Sequence, residues 1–260
     1  MALSEIAFLG DVHARMDALE TAMQNCARRG IDTLLQVGDF WLYTEKDLTK
    51  FNRVRDRIED QFGVLVDVHF IDGNHENFDL IGDTTVTKEM APFMTYHGRG
   101  DIFTIKDVTI ATFGGAVSID KFLRTEGRDW WPQEKPAASE YYHAAQRLGE
   151  YGGDIDVFVS HDCPESMSHI FEVLPHVESQ QVRLGLDNLY NLIQSPYIVH
   201  GHWHVPRATR FDNKTTLLSL GIEKGPCSLA RILSDTEIEF MYKDSSEVVT
   251  VDQDKRIIVK

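Results

Sequence analysis

Short apolar stretches recur along this chain, and five of them end on the same kinds of polar residue. IAFLGDVH is apolar from Ile6 to Leu9 and closes on Gly10, Asp11 and His13. TLLQVGDFW closes on Gly38 and Asp39, and VHFIDGNHE on Gly73, Asn74 and His75. VFVSH closes on His161, and YIVHGHWH on Gly201, His202 and His204. Each is a brief run of β-branched or aromatic residues with a turn residue behind it, the pattern of a buried strand. Between the first two runs, Met16, Leu19, Met23 and Cys26 recur at three- and four-residue spacing, which predicts a helix that stops at Gly30. Phe51, Val54, Ile58 and Phe62 predict a second helix over 47–62. Strand–helix–strand–helix–strand order implies parallel pairing in an α/β domain. Such sheets bind ligands beyond the carboxyl ends of their strands, the edge where all five polar endings fall.

The remaining pattern is coarser. DIFTIKDVTIATFGGAVS predicts two strands with a turn at Lys106 and Asp107, residues 120–136 look irregular, and 138–149 and 180–193 look helical. From Thr215 the segments TTLLSL, SLARIL, EIEFMY, EVVTV and RIIVK alternate in a way that suits antiparallel pairing. No repeat or linker interrupts the chain, so residues 1–260 are expected to form one domain. A hydrophobic content of 42% supports a sizeable core. No apolar run approaches the roughly 18 residues of a membrane span, and MALSEIAFLGDVH does not read as an export signal; a cytoplasmic location is expected. Cys26, Cys163 and Cys227 are odd in number and form no C-x-x-C, which argues against a disulfide framework or zinc ribbon. The net charge of −15 works against a broad grip on long nucleic acid.

The five endings gather Asp11, His13, Asp39, Asn74, His161, His202 and His204, a mixed oxygen and nitrogen set. A single tetrahedral zinc uses about four ligands. A larger set suits two ions sharing one ligand, and a carboxylate with two acceptor oxygens is the natural bridge. Carboxylate and imidazole without thiolate suit manganese, iron, zinc or nickel better than calcium. In extended chain, D-x-H and H-x-H would send alternate side chains the same way. His200 precedes the last block and is read as a core or supporting residue. His69, His97, His143, His169 and His176 show no partner pattern. Asp162 is read as a turn residue, and Glu76 and Asp79 as residues that cap or orient neighbours.

Taken in order, Asp11-Val12-His13, Gly38-Asp39, Gly73-Asn74-His75-Glu76, His161 and Gly201-His202-Trp203-His204 resemble the signature of the calcineurin-like metallophosphoesterases. The resemblance spans residues 10–204. It implies a four-layer αββα sandwich with mixed sheets and a dinuclear metal site at the strand C-terminal ends. By matching position, Asp11, His13 and His204 would hold one ion, Asn74, His161 and His202 the other, and Asp39 would bridge them. A hydroxide between the ions would attack phosphorus in line. His75 would contact the phosphate and protonate the leaving oxygen rather than bind metal. The segment 114–134 looks like one found in small bacterial and phage members. Its Lys121, Arg124, Arg128 and Trp130 join Asn74 and His75 as candidate substrate contacts. A packed surface loop with Trp130 and Trp131 in a satellite core is the alternative. Ser/Thr protein phosphatases and bis-nucleoside tetraphosphatases extend the second block to G-D-x-V-D-R-G, whereas here GDFWLYTEK lacks that arginine. The expected substrate is therefore a small-molecule phosphodiester, a nucleotide or cyclic nucleotide among the candidates. Phosphomonoesterase or protein phosphatase activity, a nuclease, and a non-catalytic metal-binding scaffold are the other readings.

Overall fold

The computed structural model describes residues 2–42, 44–171, 176–211, 214–223, 225, 228–242 and 245–251. Strands β1 (Ile6–Leu9), β2 (Thr33–Gln36) and β3 (Asp67–Phe70) pair in parallel through helices α1 (Met16–Arg28) and α2 (Glu45–Phe62). Asp47 caps α2 by accepting the Thr44 N–H at 3.0 Å, and Gly63 ends it with φ 65°. A short helix α3 (Phe78–Ile81) leads to β4 (Lys88–Ala91) and β5 (Met94–Tyr96), which extend this sheet beyond β3.

The chain then builds a second sheet. Its elements are β6 (Ile102–Ile105), β7 (Val108–Phe113), α4 (Ala138–Tyr151), β8 (Val157–Ser160), α5 (Glu165–Ser168), α6 (Val177–Ile193), β9 (Tyr197–His200), β10 (Arg207–Phe211) and β11 (Thr215–Ser219). The strand order is β10-β11-β9-β8-β7-β6. Finally β12 (Leu229–Ser234), β13 (Glu237–Met241) and β14 (Ser246–Thr250) return to the first sheet, where β12 lies antiparallel to β1. That sheet runs β14-β13-β12-β1-β2-β3-β5-β4.

Side-chain alternation builds the layers. Ile6, Phe8 and Leu35 meet Val157, Val159, Tyr197 and Val199 in a core between the two sheets. Their neighbours Ala7, Leu9 and Leu34 point the other way, onto Leu19, Met23, Phe51 and Ile58 of α1 and α2. Phe158, Ile198 and Leu217 face Ala144, Leu186 and Leu189 of α4 and α6. The order is helix, sheet, sheet, helix, the αββα sandwich expected. Central strands covered on both faces read as unbroken apolar runs, which is why the sequence displays them so plainly.

Some expectations change. TTLLS does not start an antiparallel meander: β11 lies parallel to β9 and antiparallel to β10, buried at all five positions inside the second sheet. The pattern marks no strand at β4, β5 or β10. KEMA and RATRF carry charges and lie at sheet edges, and MTY is three residues long. RIIVK and Cys227 lie outside the described residues; Cys26 and Cys163 are buried free thiols. Among the described residues, no helix is long and apolar enough to cross a membrane.

Candidate metal centre and its cavity

The carboxyl ends of β1, β2 and β3 in one sheet and of β8 and β9 in the other open onto the same edge of the sandwich. There the five motif endings meet. Asp11 Oδ2 lies 2.9 Å from His204 Nε2 and 3.9 Å from His13 Nε2. Asp39 reaches both sides: Oδ2 is 3.3 Å from His13 Nε2, and Oδ1 is 3.4 Å from His161 Nε2. Asn74 Oδ1 is 3.2 Å from His161 Nε2, and the His161 and His202 rings are 5.1 Å apart. All seven residues thus form one cluster, with Asp39 at its middle.

Local backbone explains the residue types beside them. A Cβ at Gly73 would collide with Asp39, and one at Gly201 with Asp11, so only glycine lets those turns approach the carboxylates. His13, Asp39, His202 and His204 have φ of 45°, 57°, 63° and 54°. Left-handed conformations at non-glycine residues are unfavourable and gather at functional sites. D-x-H and H-x-H therefore do not work as extended segments. They are tight turns at strand ends, and the turn aims the rings.

A second layer of contacts orients the first. His161 Nδ1 donates to the Val37 carbonyl at 2.8 Å, which turns Nε2 toward Asp39 and Asn74. Asn74 Nδ2 donates to Ser118 Oγ at 3.1 Å, leaving Oδ1 to face His161. Glu134, buried in turn, accepts from Ser118 Oγ at 2.7 Å and from Ser118 N–H at 2.8 Å. Glu76 accepts the Phe40 and Trp41 N–H groups at 2.8 and 2.9 Å, locking the loop that carries Asp39. Asp162 accepts from Cys163 N–H and from Trp203 Nε1. His200 is fully buried behind the cluster, its Nδ1 3.0 Å from the Gly201 carbonyl.

Oxygen and nitrogen lone pairs face each other across this cluster, and such an arrangement calls for positive charge between them. The titration behaviour agrees. Burial alone would push the His161 imidazole down, but Asp39 and then Asp11 carry it up to about 10. Burial opposes ionisation of Asp39 too, yet His161 and His75 hold its carboxyl well below the usual range. Among the described residues, three groups place their ligand atoms within 4.8 Å of one another: Asp11, His13 and His204; His13, Asp39 and His75; and Asp11, Asp39 and His161. Oxygen and imidazole donors without thiolate suit first-row divalent ions. The residues present fit a pair of such cations.

Beside the cluster opens a cavity of about 720 Å³. His75 lines it, stacked on Trp41 with ring centroids 5.0 Å apart. Arg124 lines it too, donating to His75 Nδ1 at 2.9 Å and gripping Asp120 at 2.9 and 3.0 Å. The other segment candidates are not brought to this cavity. Lys121 pairs with Glu178, Arg128 is exposed, and Trp130 is half-buried outside the lining. Trp131 is buried, with Nε1 donating to Asp79 at 3.0 Å. Sequence reasoning missed Ser118, Glu134, Trp41, Phe171 and Arg183. Trp41 lies just beyond the G-D block, a cue the motif pattern does not use; the others carry no local signature.

A sequence profile of the calcineurin-like phosphoesterases matches residues 4–206, and the chain belongs to that family. The family carries out metal-dependent phosphoester hydrolysis with a dinuclear centre. The lariat debranching enzyme of Drosophila melanogaster is 25% identical over 228 residues, covering 77% of this chain and 42% of that enzyme. The chain spans less than half the length of the curated relatives it matches. Among solved structures, TT1561 of Thermus thermophilus superposes with a TM-score of 0.55 at 12% identity, over 95% of this chain and 98% of that one. GAP50, the anchor in the inner membrane complex of Plasmodium, gives 0.58 at 11% identity, over 98% and 90%. At such identities these two likenesses speak to fold alone.

Proposed function

We propose that this chain, read as one domain, hydrolyses small-molecule phosphodiesters with two bound metal ions. Asp11, His13 and His204 would hold one ion and Asn74, His161 and His202 the other, with Asp39 shared. The observation that carries this reading is that all seven residues gather in one cluster at one sheet edge, with Asp39 between His13 and His161. When bound, a cation pair polarises the phosphoryl group and stabilises charge on the attacking and leaving oxygens.

The chain's own groups do the positioning. Arg124 Nη1 approaches His75 Nδ1 at 2.9 Å, closer than Nη2 approaches Nε2 at 3.5 Å. A neutral His75 then carries its hydrogen on Nε2 and hydrogen-bonds an ester oxygen, while protonating the leaving oxygen takes the imidazolium form. The loop over Asp39 is fixed by Glu76, so its geometry is set before substrate arrives.

Diesters are favoured over monoesters on three grounds. The cavity has the size of pockets that enclose a whole organic ligand, not a phosphate alone. Its lining includes Val117, Ile119, Phe171 and Trp203, apolar surface suited to ester arms. The chain also lacks the arginine of the G-D-x-V-D-R-G block. With manganese supplied, bis-p-nitrophenyl phosphate is expected to exceed p-nitrophenyl phosphate in kcat/KM; a strong monoester preference overturns the assignment. Similarity to lariat debranching enzymes favours a nucleic-acid diester as the second reading. The charge of −15 counts against a long strand, and a rate on oligonucleotides falling steeply with salt would restore it. Stoichiometric metal without turnover on any ester would support the scaffold reading.

A further inference from the structure

The loop that carries Asp39 is strained two residues further on as well. Asp39 and Trp41 both have left-handed backbone, with φ of 57° and 64°. A bulky side chain there is an outlier, and such conformations persist only where the surroundings over-determine them. Here the Glu76 carboxylate does so, accepting the Phe40 and Trp41 N–H groups at 2.8 and 2.9 Å. The turn swings the indole back over the cluster. It stacks on His75, 20° from parallel with centroids 5.0 Å apart, and lies at 79° to the His13 ring with centroids 5.4 Å apart. Trp41 is half-buried and does not line the cavity that His75 lines, so it reaches a substrate only through that ring.

Three contacts hold His75. Its backbone N–H donates to Asp39 Oδ1 at 2.8 Å, Arg124 donates to its Nδ1 at 2.9 Å, and Trp41 covers one ring face. The first fixes the backbone and leaves the side-chain torsions open. The second needs Nδ1 as an acceptor, so it lapses in the imidazolium, where both ring nitrogens carry hydrogen. That is the form able to protonate a leaving oxygen. Of the two side-chain contacts, the stack alone survives there, and an indole face attracts a cation. We propose that Trp41 is a positioning residue, its indole fixing the plane of the His75 ring so that Nε2 faces the leaving oxygen, a role that rests on the phosphodiester reading above. As the P–O bond breaks, its electron pair stays on the leaving oxygen and takes the Nε2 proton, and His75 is left neutral. Water supplies the hydroxyl that joins phosphorus and the proton that reloads the ring.

Methyl phenyl phosphate and methyl p-nitrophenyl phosphate share the retained arm and differ in the leaving one. Phenoxide is the more basic, and its departure depends more on a proton. On the manganese-loaded full chain, Trp41→Leu is expected to lower kcat for the phenyl ester roughly 10- to 100-fold more than for the nitrophenyl ester, the scale of a misplaced general acid. KM and manganese affinity should stay near wild type. Trp41→Phe, which keeps a ring face, should hold the wild-type ratio of the two esters. In a His75→Ala background, Trp41→Leu should not move that ratio. Trp41→Met takes its place in both comparisons should circular dichroism show the Leu chain unfolded. Equal losses on both esters, no loss on either, or a ratio that shifts without His75 overturns the positioning role and leaves the phosphodiesterase standing. Manganese-loaded wild type that hydrolyses neither ester overturns both.

Discussion

At the scale of single residues, Asp39 is the hub, and the geometry of the cluster around it is set by residues outside the seven. Ser118 is the clearest case. It holds the amide of Asn74 so that the carbonyl oxygen faces the cluster, and Glu134 holds Ser118. Removing such a support usually lowers metal affinity or activity by roughly 10- to 100-fold. Ser118→Ala is therefore expected to weaken manganese binding by about that factor with the fold intact, as a chelator competition titration would show; unchanged affinity would detach Ser118 from the centre. The motif residues themselves are plain in the sequence because each terminates an apolar strand. Ser118 is not, because a serine 44 positions from Asn74 carries no local mark of its partner. The backbone of the motifs is equally hidden. A two-residue spacing looks the same in a strand and in a left-handed turn, and φ of 63° at His202 and 54° at His204 is imposed by the fold around them.

At the scale of elements, buried charge ties strands and helices behind the site. Arg99, with no exposed side chain, donates to Asp72 at 2.6 and 3.0 Å and to Glu140 of α4 at 2.9 and 3.0 Å. It thereby fastens the turn that leads into Gly73 and Asn74. Nearby, Asp101 accepts from His97 at 2.9 Å and from Thr87, just ahead of β6. Burial raises its pKa, but those hydrogen bonds outweigh it and bring the value to about 2. A carboxylate whose folded value lies below its unfolded value of about 3.9 stabilises the fold above that unfolded value. The contribution disappears as pH falls through about 2. Asp101→Asn should thus be destabilised by on the order of 1 kcal/mol at pH 7. In urea unfolding the gap between variant and wild type should close between pH 5 and pH 2; a gap independent of pH would contradict the assignment. Central strands and amphipathic helices are legible because burial dictates their pattern. β4, β5 and β10 are not, because short or charged segments lack that pattern, and the direction of β11 depends on which neighbour it finds.

At the scale of the whole molecule, two sheets come together so that five strand ends share one edge, and the proposed phosphoesterase function rests on this placement. The layer order follows from the family resemblance more than from periodicity, since alternation cannot say which sheet a strand joins. The cavity wall of Phe171, Trp203 and Arg183 lies beyond the sequence for the same reason: it assembles from three separate segments. The central claim is that Asp39 holds two cations together. Its most direct test is metal stoichiometry by plasma mass spectrometry on wild-type chain and Asp39→Asn, both equilibrated with manganese and desalted. The account expects about two ions per wild-type chain, the two-metal case, and fewer than one in Asp39→Asn with its circular dichroism unchanged. A wild-type chain that retains no metal, or a variant that keeps both ions, would contradict it.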